Sequence, residues 1–217
     1  MLKHERILIF DFETSGLSPF NSQIIEIGAL LLTREQGQYR ITEELSCLVT
    51  CDYPLPTKIT DITHITDEML LRDGISEIEA FSKLNALYDE HTLLVAYNIQ
   101  FDLGFLLELF KKYTNRQFIF PNDILDVMAI YRDRHKFPHR LESAVQAYGI
   151  AIPNTHRALD DVKATLEVLK MMKIEKDNLG HYVNKIGYNK KYGVSGPKLP
   201  HVTYISQYGG FREIENS

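Results

Sequence analysis

Short continuous apolar runs dominate the first third of the chain, and apolar residues at helical spacing dominate the rest. Arg6 to Phe10 (RILIF) reads as a short, fully buried strand with Asp11 at its exit. TSGLSPFNS, rich in Ser, Gly, Pro and Asn, is a turn or loop. IIEIGALLL is a second buried strand, and Gly28 in its interior predicts a bulge or a close backbone approach. After the polar REQGQ turn, YRITEELSCLVT alternates as a third strand, and the short connections favour antiparallel pairing. CDYPLPTKITDITHITDEML, with two prolines, reads as irregular. Ser76 with Glu79 forms a capping box that opens a helix to about Tyr88, placing Ile78, Phe81, Leu84 and Leu87 or Tyr88 on one face. LLVAY is a fourth buried strand, followed by a helix from about Phe101 to Tyr113. FIFPNDIL predicts a short fifth strand or turn, with a helix around Val127–Asp133 behind it. Leu141, Ala144, Val145 and Tyr148 mark a further helix stopped by Gly149. Ala158, Asp161, Val162, Thr165, Leu166, Leu169 and Met172 share one face of a closing helix. Three strands followed by alternating helices and strands predict one α/β domain, a mixed sheet flanked by helices.

The 217 residues suffice for one such domain with a sizeable core, and 44% hydrophobic with 24% charged residues is ordinary for a globular protein. The longest apolar runs fall far short of the roughly 20 residues of a membrane helix, and IIEIGALLL carries Glu26. No membrane association is expected. The opening MLKHERILIFDF does not resemble a signal peptide. Cys47 and Cys51 lack further ligands at zinc-site spacing and read as reduced, incidental thiols, so a cytoplasmic location is expected. The net charge of −5 is uneven. Residues 1–172 carry 17 Lys and Arg against 25 Asp and Glu, whereas residues 173–217 carry 7 against 4. An acidic body disfavours a long non-specific duplex-binding surface, which relies on many phosphate contacts. It suits an enzyme that grips a few nucleotides and brings its own cations.

The candidate chemistry lies in three dispersed segments. Asp11 and Glu13 are two apart, so on a continuing strand both carboxylates point to one face and can reach one metal. Asp102 follows a buried strand and opens a helix, where an acid also complements the helix dipole; Asn98 at the same point also suits a cap or turn. Asp161 lies on an otherwise apolar helix face, where an acid is costly unless paired or bound to metal. Asp160, about 100° away, can face solvent. His156, five residues before Asp161, sits in the preceding loop, where its side chain can reach a water nucleophile. Four carboxylates and a histidine embedded in core-forming segments suit a site holding two divalent cations against a phosphodiester.

DFETSGL, NIQFD and HRALDD together resemble the three motifs of the DnaQ-like 3′–5′ exonucleases, the DEDDh family of the ribonuclease H-like superfamily. The spacing of His156 to Asp161 matches the His subtype; the Tyr subtype would carry tyrosine at 157, where this chain has Arg157. LPTKITDITHITDEML and HRLESAVQAYGI are also similar to family segments, so the resemblance spans about residues 5–172. His64 departs from the pattern, because the family often has glycine there.

The resemblance implies a ribonuclease H-like fold and two-metal-ion hydrolysis with Mg²⁺ or Mn²⁺. In it Asp11 bridges both ions, Glu13 and Asp161 complete one site, Asp102 holds the second and His156 is the general base. Thr14 and Leu17 would contact the terminal nucleotide, and Asn98 and Phe101 are assigned with them to the substrate. The expected substrate is the 3′ end of single-stranded DNA, the product a nucleoside monophosphate, and a polymerase is a candidate partner. An RNA-trimming or oligoribonucleotide-degrading exoribonuclease is the alternative, and a non-catalytic nucleic-acid-binding adaptor a second. The expected organisation is an exonuclease domain at 1–174 and a basic, Tyr-rich extension at 175–217. That extension reads as wrapped on the domain or partly ordered, without a second core, and its interleaved tyrosines and lysines also suit guiding single strands.

Overall fold

The computed structural model describes residues 2–151 and 156–217. Of the loop expected before the closing helix, residues 152–155 lie outside those described. Five strands, β1 (Arg6–Thr14), β2 (Ile24–Glu35), β3 (Gln38–Leu48), β4 (Leu93–Ala96) and β5 (Ile124–Asp126), form one sheet in the order β3-β2-β1-β4-β5. The β1–β2 and β2–β3 pairs are antiparallel, and β4 and β5 add parallel strands beside β1. This is the mixed sheet that the strand order and connection lengths imply.

The pleat separates two cores. Leu8, Phe10 and Phe12 face α3 (Glu77–Leu87) and α4 (Ile99–Tyr113). Ile7 and Ile9 face α5 (Val127–Arg134), α6 (Leu141–Ala147) and α7 (Ala158–Glu175). IIEIGALLL is buried at every position because β2 is covered on both faces, whereas β3, at the edge, carries an exposed charged run.

Several expectations change. β1 continues past Asp11 to Thr14, because β2 goes on pairing with it through Ile24. The stretch expected to be irregular contains α1 (Thr57–Thr63) and α2 (Asp67–Asp73), too short to show periodicity. Thr66 caps α2 by accepting from the Met69 N–H, and Leu55, Ile65 and Leu70 build a small third core with Ile25 and Leu48. His64 ends α1 in the left-handed conformation (φ 59°), a backbone state glycine adopts at no steric cost. On α3 the buried stripe is Ala80, Phe81 and Leu84, which turns Ile78 outward to solvent.

The last 45 residues are part of the packed body. A 3₁₀ turn (Leu179–Tyr182) leads into β6 (Lys185–Tyr188), which pairs in parallel with β7 (Thr203–Ser206). Tyr182, Ile186, Leu199 and Ile214 enter the two main cores. Buried Asp133 of α5 gathers this segment: it accepts from Tyr182 Oη (3.0 Å), Gln207 Nε2 (3.0 Å), Ile214 N (2.8 Å) and Glu215 N (2.9 Å).

Candidate active site

The site forms at the C-terminal end of β1, where it runs on beyond the end of its parallel neighbour β4, the usual place for function in an open α/β sheet. Asp11 and Glu13 continue the face of Ile7 and Ile9, so both carboxylates point toward α7. Opposite them on β2 stand Gly28 and Glu26. A Cβ on Gly28 would come within 2.4 Å of the Ala158 and Leu159 backbone, so the first turn of α7 lies directly on β2. The close approach expected at this glycine is what lets Asp161, one turn into α7, reach the strand carboxylates. Oxygens of Asp11, Glu13 and Asp161 all lie within 4.8 Å of one another.

Asp102 enters from the other face. β4 pairs only with Ile7–Ile9, so the outer edge of β1 beyond them is open to α4. There Asp102 Oδ1 accepts from the Phe12 N–H (3.1 Å), which fixes it beside β1 and outside the three-carboxylate cluster.

The electrostatics show a site short of positive charge. Burial, then the neighbouring Asp161 and Glu26, push Asp11 up to about 8. Burial and Asp11 push Glu13 up to about 9, against a lowering by Arg157. Asp161 rises to about 7 through burial and Asp160. Asp102 is raised well above the usual range by burial and Asp11, although the Phe12 N–H opposes this. Among the described residues, Asp161 Oδ1 is also buried without a hydrogen-bond partner. Packed carboxylates with an unsatisfied buried oxygen are a donor set that fits a hard divalent cation.

The other expected site residues sit around this cluster. His156 is exposed in the bend before α7, with a left-handed backbone (φ 51°), and is not one of the clustered ligands. Thr14 is buried and its hydroxyl donates to the Gly16 carbonyl (2.7 Å), shaping the turn that presents Leu17, 85% exposed. Asn98 is exposed at the start of α4 and makes no capping bond, whereas Phe101 is half-buried and stacks at a tilt on Phe105.

Two residues of the site were not read as such from the sequence. Glu26, 1% exposed, accepts from Arg157 Nη2 (2.6 Å) and Nε (3.0 Å) and from the Ala158 N–H (3.0 Å). This pair ties the start of α7 to β2 directly across from Glu13. The signal was present: a lone glutamate inside a fully apolar strand requires a buried partner.

Residues 8–169 match the family model of the RNase T-type exonucleases, described as "Exonuclease". The chain belongs to the DnaQ-like DEDDh exonuclease family. The chain is 32% identical over 202 residues to a DNA polymerase III subunit epsilon of Treponema pallidum, covering 84% of this chain and 83% of that one. It is 34% identical over 206 residues to a PolC-type DNA polymerase III of Clostridium perfringens, covering 90% of this chain but 13% of that protein. The chain thus spans about an eighth of the PolC-type relative. E. coli Exonuclease I, crystallised with a dT13 oligonucleotide, shares the fold: TM-score 0.71 at 22% identity, over 82% of this chain and 43% of that one. Among the described residues, no helix is long and apolar enough to cross a membrane.

Replacing Gly28 by Ala is expected to push α7 off β2, since the obstructing atoms are backbone. Overpacking of this kind costs about 1–3 kcal/mol. A displacement near 1 Å at Asp161 would lower turnover by about 10²-fold. A melting curve and initial rates on the purified variant would check both, and unchanged turnover would contradict the approach seen at this glycine.

Proposed function

We propose that the chain removes nucleoside monophosphates one at a time from the 3′ end of single-stranded DNA, using two divalent cations, Mg²⁺ or Mn²⁺. The observation that carries this reading is the meeting of Asp11, Glu13 and Asp161 oxygens within 4.8 Å of one another. An all-oxygen, all-carboxylate donor set favours hard cations over zinc. Bound ions of this type supply Lewis-acid stabilisation of the phosphoryl oxygens and lower the pKa of the attacking water. Asp11, Glu13 and Asp161 would hold one ion, and Asp11 with Asp102 would hold the second. Leu17 offers an exposed apolar side chain to the terminal base, while Thr14, Asn98 and Phe101 complete the nucleotide site. His156 accepts the proton of the attacking water at a ring nitrogen. A polymerase partner is supported by the names of the epsilon and PolC-type relatives. Residues 1–174 carry the chemistry and residues 175–217 complete the fold around it.

The test is hydrolysis of 5′-labelled single-stranded DNA and RNA of equal sequence, with a free or blocked 3′ end, in Mg²⁺, Mn²⁺ or EDTA. Shortening of free-ended DNA from its 3′ side, only with a cation, is expected; faster RNA degradation would overturn the DNA assignment. His156→Ala is expected to lose about 10²–10⁴-fold in kcat while keeping the cation-induced rise in melting temperature. An unchanged rate would remove His156 as the base.

A further inference from the structure

The carboxylate cluster leaves a second feature unused. Starting at Asn98, a groove of about 620 Å³ runs between the body of the domain and the C-terminal segment. Its walls carry Phe137, Tyr192 and Tyr208, which are 83%, 76% and 66% exposed, together with Arg132 and Arg140. Single exposed aromatics are ordinary, but three lining one groove are an apolar surface awaiting planar partners. Among the described residues no carboxylate lines the groove, although the body as a whole is acidic. Arg132 donates to neutral acceptors, the Gly187 carbonyl (3.2 Å) and Met128 Sδ (3.4 Å), and Arg140 is exposed. Lys191 Nζ sits 5.2 Å from the Tyr192 ring centre, adding a cation at the rim.

Accessible aromatic faces with guanidinium and ammonium groups between them are the combination that binds single strands by stacking and phosphate contact. One end of the groove lies near the catalytic centre in the chain. Asn98 lines it, and Asp102 lies four residues further along α4, about 6 Å at helical rise. Two walls belong to different parts of the chain: Arg132, Phe137 and Arg140 come from the α5–α6 region, and Tyr192 and Tyr208 from the segment beyond the family match at 8–169.

We propose that this groove holds the single-stranded DNA upstream of the terminal nucleotide, with bases stacked on Phe137, Tyr192 and Tyr208 and phosphates met by Arg132 and Arg140. The proposal rests on the exonuclease reading above. It makes the C-terminal segment a strand guide as well as a part of the core. A strand occupying the groove enters the cluster past Asn98, so length of substrate, and not chemistry at the 3′ end, is what the groove senses.

The experiment compares the wild-type protein with a Tyr192→Ala/Tyr208→Ala double variant and a Tyr192→Phe/Tyr208→Phe control, on a long single-stranded oligodeoxynucleotide and on a dinucleotide. Each lost stack is worth about 5- to 100-fold in affinity. The Ala variant is expected to raise KM at least about tenfold on the long strand. It leaves dinucleotide turnover unchanged, and the Phe control behaves as wild type. Equal losses on both substrates would show a structural role, and no loss on either would empty the groove of DNA; both overturn the proposal. Binding of the same fluorescent strand in EDTA, read by anisotropy, separates the groove from the chemistry. If the wild type hydrolyses neither substrate, the exonuclease reading fails. The groove then stands or falls on whether the Ala variant weakens that binding by a similar factor. Groove-dependent binding that is tighter for RNA of the same sequence would overturn the DNA assignment.

Discussion

Exchanging Asp11 for Asn is expected to abolish hydrolysis and, in the absence of cations, to make the protein more stable. The two outcomes share a cause. Two carboxylates about 4 Å apart repel by about 4 kcal/mol at an effective dielectric of 20, and here three meet with Asp102 close by. Burial and the neighbouring acids hold Asp11 near 8 in the folded chain, against 3.8 for the ordinary side chain. The sign follows from the direction of that shift. Below about pH 4 the group is protonated in folded and unfolded chains alike, so it costs nothing. As the pH rises toward 8 the unfolded chain ionises freely while the folded one resists, so the unfolded state gains. Without metal, wild-type stability should therefore fall between about pH 4 and pH 9, the interval spanned by the values for Asp11, Glu13 and Asp161. A shift of this size corresponds to on the order of 5 kcal/mol. For a chain of this length that is on the order of 10 °C in melting temperature.

The Asn variant should match wild type below about pH 4, where Asp11 is protonated in folded and unfolded chains alike, and exceed it at pH 8. Mn²⁺ or Mg²⁺ should raise the wild-type melting temperature at pH 8 and leave the variant nearly unmoved. Loss of the shared ligand removes several kcal/mol of transition-state stabilisation, so turnover should fall by at least about 10³-fold. Melting curves at about pH 3.5 and at pH 8, with and without Mn²⁺, read all of this. A wild-type curve indifferent to both pH and cation would contradict the picture of a strained anionic cluster.

The parts of this arrangement that could be read from the sequence were those carried by periodicity and by local spacing. The long apolar runs of β1 and β2, and the seven-residue apolar face of α7, announce their elements because burial is continuous along them. Asp11, Glu13 and Asp161 stood out because each interrupts such a run with a charge that the core cannot absorb unaided. Helices α1 and α2 did not, since seven residues make barely two turns and their caps matter more than their stripe. The C-terminal segment was expected to wrap on the domain, but what holds it there was not legible. Asp133, for one, makes four bonds to Tyr182, Gln207, Ile214 and Glu215 that have no local signature. Glu26 and Arg157 illustrate the same limit: 131 residues apart, they form one unit only after β2 and α7 have met.

That unit gives the second large effect. Arg157→Ala should cost about 3–5 kcal/mol, because it leaves Glu26 buried and charged with the Ala158 N–H as its remaining donor, directly across the sheet from Glu13. Glu26→Gln should cost less, since Arg157 is half-exposed and water can solvate it. Arg157→Lys should fall between, keeping the charge but losing the two-pronged contact that fixes the start of α7. A purely structural clamp would show itself in stability alone. Arg157 also lowers the pKa of Glu13, so its loss should move the acidic limb of the rate profile toward higher pH, because Glu13 must be ionised to serve as a ligand. Melting temperatures ordered Glu26→Gln above Arg157→Lys above Arg157→Ala, with the rate limb displaced in the Ala variant, would assign Arg157 both roles. An undisplaced limb would confine it to holding α7 on β2, and an inverted order of stabilities would mean that Glu26 is not the member of the pair that needs rescue from burial.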